Sequence, residues 1–142
     1  MSLMNAVDTN ILMYSVDLKE PAKQAKAQQL LRQLVTTNDP TVLLWQVLTE
    51  SARQLRRWKD KGELTDAEFA QHLQTFRNLF PLRFPTEVVL DRALDLASRY
   101  SLSYWDSMIL GACKVAGVTT LYTEDMGAPR NIDGIQLVNP LI

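Results

Sequence analysis

The sequence of 142 residues has one cysteine, one histidine and no apolar run close to the roughly 20 residues that a membrane-spanning helix needs. The single cysteine, Cys113, cannot form an internal disulfide, which agrees with a reducing compartment. The first residues lack a basic segment followed by a long apolar core, so no secretory signal is predicted. We therefore expect a cytoplasmic protein without a membrane segment.

An excess of charge of one sign is also missing, because 15 basic residues stand against 16 acidic ones. A net charge of -1 argues against a protein that coats nucleic acid by bulk electrostatics. The local exception is residues 53–61, where the only acid is Asp60. The basic residues of this run are Arg53, Arg56, Arg57, Lys59 and Lys61. The run is either a solvated helix face or a patch that binds phosphates.

The rest of the composition is that of an ordinary globular domain, with 46% hydrophobic and 22% charged residues. A chain of this length buries roughly 68% of its unfolded surface, which is enough for one core. We predict a single domain over residues 1–142. Residues 1–3 precede a second methionine, Met4, and are treated as an added N-terminal extension outside the fold prediction.

Short apolar runs alternate with helical patterns along the chain. The predicted strands are 5–7, 41–44, 81–84 (a brief edge strand), 118–122 and 135–138. The predicted helices are one turn at 11–14, a helix from Pro21, and helices at 46–62, after Thr65, after Thr86 and at 103–116. Parallel strands need helical crossovers, so the alternation predicts an α/β fold with a parallel sheet covered by helices.

Four acidic residues stand at junctions between the predicted elements. Asp8 and Asp125 follow strands, and Glu50 and Asp106 lie in the first turns of helices. Ligands bind beyond the carboxyl ends of parallel strands, so the four side chains are expected to converge there. Ionised carboxylates about 4 Å apart repel by roughly 4 kcal/mol, which a divalent cation relieves. Oxygen ligands favour Mg²⁺ or Mn²⁺, the ions of metal-assisted phosphodiester hydrolysis.

Each acid also has a purely structural interpretation. Asp8 can cap the following helix, and Asp106 stands three residues after Ser103 in a pattern close to a capping box. Glu50 can be an exposed surface acid, and Asp125 can belong to an ordinary turn. Spacing alone leaves both interpretations open for each of them.

Four segments occur in an order that is typical of one family. They are VDTNIL at 7–12, QVLTE at 46–50, LSYWDSMI at 102–109 and LYTED at 121–125. Through them the chain resembles the PIN-domain family, and especially its VapC-like members, the ribonuclease toxins of prokaryotic toxin–antitoxin pairs. The resemblance covers nearly the full length. It implies a PIN-like three-layer sandwich with a central parallel sheet flanked by helices.

The resemblance also implies which acids hold the metal. The matching ligand positions are Asp8, Glu50, Asp106 and, as a more variable fourth acid, Asp125. The family usually has a phenylalanine soon after the fourth acid, whereas Met126 and Gly127 follow here. The choice between Glu124 and Asp125 therefore stays open.

Polar and basic residues around these acids complete the predicted site. Asn10 and Thr123 match positions that the family uses to order the acids and bound water, and Thr9 is a further supporting polar residue. Arg53 and Arg57, three and seven residues after Glu50, are predicted to contact RNA phosphates.

The function implied by the resemblance is a Mg²⁺- or Mn²⁺-dependent endoribonuclease, the toxin of a toxin–antitoxin pair. Its expected partners are RNA, a small antitoxin protein whose peptide occupies the groove, and a second copy of the chain in a homodimer. The alternative is a non-catalytic PIN-fold module that binds nucleic acid or a protein partner. Metal-dependent cleavage by the pure protein separates the two.

Overall fold

The computed structural model describes residues 2–142, which contain six strands and six helices, with a pair of helices after each of the first three strands. Met1, part of the predicted N-terminal extension, lies outside the described residues. The strands are β1 (Asn5–Val7), β2 (Thr41–Leu44), β3 (Leu82–Arg83), β4 (Thr120–Tyr122), β5 (Arg130–Ile132) and β6 (Ile135–Val138). The helices are α1 (Thr9–Tyr14), α2 (Pro21–Thr36), α3 (Trp45–Asp60), α4 (Asp66–Leu79), α5 (Glu87–Tyr100) and α6 (Tyr104–Ala116). The predicted α/β class is confirmed.

The six strands form one sheet in the order β3-β2-β1-β4-β6-β5. The first five strands in this order pair in parallel, and β3 lies at the predicted edge. Strand β1 is flanked on both sides, with Ala6 opposite Val42 of β2 and Leu121 of β4. Both β1 and β2 are buried along their whole length, which explains apolar runs without polar alternation.

The sequence patterns predict the parallel strands but not β5, which pairs antiparallel to β6. Asp133 and Gly134 connect the two strands with φ angles of 52° and 90°. Two consecutive residues with positive φ are typical of a type I′ hairpin turn, for which Asp-Gly is a preferred sequence. The Asp133-Gly134 dipeptide was therefore the sequence signal for this hairpin. Arg130–Ile132 has a single apolar residue, so apolar patterning could not reveal the strand.

Helix ends follow the predicted caps closely. The Thr65 hydroxyl accepts from the Glu68 N–H at 3.1 Å, and the Glu68 carboxylate accepts from the Thr65 N–H at 2.9 Å. The two residues form a capping box, and the helix predicted after Thr65 is confirmed. Ser103 caps α6 by accepting from the Asp106 N–H at 3.2 Å. No helix within residues 2–142 has the length and apolarity to cross a bilayer.

Helices α5 and α6 approach each other closely at Gly111, the buried glycine of α6. A Cβ at this position would lie 2.8 Å from the Val89 carbonyl oxygen and 2.9 Å from the Ala93 nitrogen. Both obstacles are backbone atoms of α5, which cannot rotate away. Cys113, two residues on, is fully buried. The absence of a side chain at Gly111 therefore helps to fix α6, the helix that carries Asp106.

We expect Gly111→Ala to destabilise the fold. Alanine gains about 1 kcal/mol of helix propensity, but overpacking against a backbone costs about 1 to 3 kcal/mol, and here the whole of α6 must shift. Urea unfolding should therefore give a lower free energy of unfolding than for the wild type. Ser98→Ala, on the exposed surface of α5, is the control and should change it by less than about 0.5 kcal/mol. A more stable Gly111→Ala protein would contradict the close-approach argument.

Candidate functional site

Asp8 occupies the end of β1 and is only 5% exposed. Its Oδ1 accepts from the Thr9 N–H at 2.7 Å, and its Oδ2 accepts from the Thr123 hydroxyl at 2.8 Å. The first contact makes Asp8 the N-cap of α1, which explains why that helix begins at Thr9. The second contact ties the end of β1 to the segment after β4. The Asp8 carboxylate therefore both caps α1 and belongs to the candidate site.

Burial raises the pKa of Asp8 to about 6, and the negative charges of Asp125 and Glu50 add to this rise. The hydrogen bonds from Thr123 and Thr9 oppose this shift but do not cancel it. The folded chain therefore favours the protonated carboxyl more strongly than water does. A cation beside Asp8 would reverse that preference, because it stabilises the ionised form.

Glu50 on α3 is held from two sides. The Thr9 hydroxyl donates to its Oε2 at 2.9 Å, and Gln46 Nε2 donates to its Oε1 at 3.1 Å. Gln46 lies one helical turn before Glu50, which is the spacing at which helix side chains meet. The same Gln46 nitrogen also lies 3.3 Å from the Trp105 carbonyl oxygen. Gln46 belongs to the QVLTE motif, but no role was predicted for it, although its i, i+4 relation to Glu50 is visible in the sequence.

Asp125 joins the same network from the loop after β4. Asn10 Nδ2 donates to its Oδ2 at 3.0 Å, and its own N–H donates to the Thr123 hydroxyl at 3.0 Å. Thr123 thus contacts Asp8 with its proton and Asp125 through its oxygen. The Asp125 side chain is exposed, in contrast to Asp8.

Glu124, the neighbour of Asp125, faces different partners. Its carboxylate accepts from the Tyr14 hydroxyl at 2.8 Å and from Lys23 Nζ at 3.2 Å. Lys23 Nζ also lies 4.7 Å from the centre of the Tyr14 ring. This arrangement joins α1 and α2 to the loop after β4, and neither Tyr14 nor Lys23 carried a sequence signal for it. Of the two adjacent acids, Asp125 is the one connected to Asp8.

Asp106 lies in the first turn of α6 and is half-buried. In the described part of the chain its carboxylate has no hydrogen bond to the other three acids. The connection instead runs through the backbone, from the Trp105 carbonyl to Gln46 and from there to Glu50. The structure therefore links Asp8, Glu50 and Asp125 through short polar side chains and adds Asp106 through the main chain of α6.

The four acids do not form a closed ligand cage. Within residues 2–142, no three Asp, Glu, His or Cys side chains are close enough to hold one metal ion. The donor set still suits a hydrated hard cation, since Mg²⁺ keeps several waters and uses one or two carboxylates. Asn10 Oδ1 adds a buried oxygen that has no hydrogen-bond partner in the described residues. These oxygens and the raised pKa of Asp8 fit Mg²⁺ or Mn²⁺.

The predicted basic run divides along α3. Arg53 is exposed and lines a pocket together with Glu50, and Arg57 is exposed one turn further along. Lys59, in contrast, lies 3.8 Å from an Asp66 oxygen and is drawn toward α4. Arg53 therefore borders the acids, whereas Lys59 contributes to the contact between α3 and α4.

Solved structures of low sequence identity share this fold. A toxin–antitoxin complex from Klebsiella pneumoniae is 19% identical, covers 96% of this chain and 97% of its own, and gives a TM-score of 0.66. VapBC2 from Rickettsia felis, bound to a promoter DNA fragment, is 15% identical over 95% of this chain and 97% of its own, with a TM-score of 0.69. Mycobacterium tuberculosis VapC20, a sarcin–ricin loop cleaving toxin, is 14% identical over 87% and 91%, with a TM-score of 0.59.

Sequence comparison identifies the family. No curated protein is significantly similar to the chain in sequence. The PIN domain model, however, matches residues 6–132, which include all four acids and every element from β1 to β5. A match over most of the chain agrees with the fold of the solved structures and with the order of the four motifs. The chain therefore belongs to the PIN-domain family.

Proposed function

We propose that the protein is a divalent-metal-dependent endoribonuclease and the toxin of a toxin–antitoxin pair. The observation that carries this proposal is the buried Asp8 carboxylate, which hydrogen bonds through Thr9 and Thr123 connect to Glu50 and Asp125. A group of carboxylates with one strongly raised pKa is a functional-site candidate. PIN-domain membership and the toxins among its structural neighbours favour nuclease chemistry.

In this proposal the chain's own residues hold and orient the reacting groups. Asp8, Glu50, Asp106 and Asp125 are the proposed ligands, one or two of them bound to the metal directly and the others through its waters. Thr9, Asn10 and Thr123 fix three of those carboxylates. A bound Mg²⁺ or Mn²⁺ would supply an activated water and would stabilise charge developing on the phosphate. Arg53 and Arg57 would bind neighbouring phosphates and keep the RNA strand in place. No side chain is assigned as a covalent nucleophile.

We propose the partners by the same reasoning. The Klebsiella pneumoniae structure is a toxin–antitoxin complex, and the Rickettsia felis structure is a VapBC assembly on DNA. A small antitoxin protein is therefore the proposed regulatory partner of this chain, and RNA is its proposed substrate. We propose that the protein is a cytoplasmic homodimer. Measurement of its oligomeric state by sedimentation tests whether it is a dimer.

Cleavage of RNA by the pure protein tests the proposal directly. Incubation with a mixed RNA pool and Mg²⁺ or Mn²⁺ should produce defined cleavage ends, and EDTA should abolish them. We expect Asp106→Asn to reduce cleavage at least about tenfold, because the isosteric amide loses the charge that a metal ligand needs.

The stability of Asp106→Asn and the cleavage by the wild type together distinguish a metal-dependent enzyme from a non-catalytic binding module. Its thermal unfolding should stay within a few degrees of the wild type, because the helix cap is provided by Ser103 and not by the Asp106 carboxylate. Full cleavage by Asp106→Asn would contradict its assignment as a ligand. RNA binding without cleavage in any divalent metal would favour a non-catalytic module.

Metal binding should stabilise the folded chain and should depend on Asp8. A ligand that binds only the folded state adds about 2.7 kcal/mol at one hundred times its dissociation constant, so Mg²⁺ or Mn²⁺ should raise the melting temperature. Because the metal binds the ionised carboxylate, this gain should shrink as the pH falls below about 6, the pKa of Asp8. In Asp8→Asn the gain should be smaller at every pH. An equal response of both proteins would show that Asp8 is not a ligand.

Without metal the pH dependence should have the opposite sign. The pKa of Asp8 is about 6 in the fold against an ordinary 3.8, so between these values the folded chain binds more protons than the unfolded chain. Its stability then falls as the pH rises, by about 2 kcal/mol from pH 4 to pH 7. Urea unfolding in EDTA should reveal this fall as a difference between wild type and Asp8→Asn. Parallel pH curves for the two proteins would contradict the raised pKa.

Arg53 and Arg57 should contribute sequence-independent RNA affinity. Changing both to Gln should weaken binding to unrelated single strands equally and lower the salt slope by about 0.7 for each phosphate that is no longer neutralised. Binding is measured in Asp8→Asn so that cleavage does not interfere. Lys59→Gln is the matched control and should change the slope little, because Lys59 is already engaged near Asp66. An unchanged slope in the double variant would show that this helix face is merely solvated.

A further inference from the structure

Four aromatic side chains lie exposed beside the acids, although most large apolar side chains of the chain are buried. Trp105 is 65% exposed and directly precedes Asp106, and Tyr104 is 50% exposed. Trp45, at 39%, and Phe84, at 67%, lie on another part of the same surface. The rings form two pairs, with Tyr104 and Trp105 edge-on at 4.9 Å and Trp45 and Phe84 tilted at 5.2 Å.

A groove of about 240 Å³ runs between Trp105 and the Trp45–Phe84 pair. Met108 and Ala112 of α6 are among its apolar lining residues. The groove continues into the pocket that contains Glu50 and Arg53, since three residues line both. The shared residues are Gln46, Thr49 and Trp105. A strand that crosses the acids can therefore enter the groove without leaving the surface.

Trp105 is also coupled to the acids through the backbone. Its carbonyl oxygen lies 3.3 Å from Gln46 Nε2, the same nitrogen that donates to Glu50. The backbone of Trp105 is thus held near Glu50 and Asp106 by α6 and by this bridge, and the indole is packed edge-on against Tyr104. An exposed ring held at a set place beside a reactive centre is suited to orient a substrate.

Charge favours a nucleic acid over a protein as the occupant. Arg83 lines the groove and Arg53 lines the adjoining pocket, and neither forms an ion pair among residues 2–142. The groove lining itself contains no carboxylate. Aromatic faces between unpaired guanidinium groups are the combination that binds single strands, by base stacking and phosphate neutralisation. Bases within a duplex are already stacked on their neighbours, so the occupant must be unpaired.

We propose that the groove at Trp105 binds an unpaired base next to the phosphate that is cleaved, with Trp105 as its stacking surface. This inference rests on the proposed ribonuclease function and deepens it, because it assigns a base-binding role to the groove and to Trp105. Phosphates on either side of the stacked base lie toward Arg53 and Arg83.

The test compares a single-stranded RNA decamer of mixed sequence with an abasic decamer of the same backbone, both fluorescently labelled. Binding is measured with Mg²⁺ in Asp8→Asn, with and without Trp105→Ala. Stacking of one base is worth about 1 to 3 kcal/mol, so Trp105→Ala should weaken binding of the normal decamer about 5- to 150-fold. It should change binding of the abasic decamer little. Trp105→Phe keeps an aromatic ring, so its affinity for the normal decamer should lie between those of the parent protein and Trp105→Ala.

Control and opposing outcomes separate this inference from the ribonuclease proposal. Leu18→Ala removes another exposed apolar side chain, away from the groove, and should leave both affinities unchanged. Equal losses for normal and abasic RNA in Trp105→Ala would overturn stacking while leaving the ribonuclease proposal intact. Unchanged RNA binding together with an altered oligomeric state would overturn it in favour of a protein interface. A parent protein that binds neither decamer would overturn both proposals.

Discussion

Asp8 brings a carboxylate into the interior edge of the sheet, where water cannot compensate its charge. The Thr9 N–H and the Thr123 hydroxyl stabilise it, yet its pKa remains at about 6. An apolar residue at this place would suit the core better, since a buried charge destabilises the fold unless it is neutralised. The Thr9 N–H and the Thr123 hydroxyl hold that carboxylate in one position, and the other polar contacts of the site are arranged around it.

The tripeptide at residues 8–10 joins its own turn to two other parts of the fold, α3 and the segment after β4. Asp8 contacts Thr123 after β4, Thr9 contacts Glu50 on α3, and Asn10 contacts the exposed Asp125. Because consecutive residues leave the end of β1 and enter α1, their side chains point in different directions. Two parts of the fold distant in sequence are thereby fixed by one turn of backbone.

Gln46 lies between a polar and an aromatic part of the surface beside this network. On one side are the acids and the polar groups that order them, and on the other is the aromatic groove with Arg83. Gln46 contacts both, because its amide nitrogen lies near Glu50 and near the Trp105 carbonyl. In the function that we propose, the acids bind the metal at the reacting phosphate and the aromatic groove binds an adjacent base.

The sequence by itself determined the α/β class, the bounds of the strong helices and the caps at Thr65 and Ser103, because apolar periodicity and capping are local properties. It also located the motifs with Asp8, Glu50 and Asp106, although spacing could not separate capping from metal binding. Only the tertiary structure decided that Asp125 faces Asp8 while Glu124 turns to Tyr14 and Lys23, since adjacent acids in a loop look alike in sequence. The raised pKa of Asp8, the bridge through Gln46 and the exposure of Trp105 were likewise decided by packing, because each depends on groups that the chain brings together from distant positions.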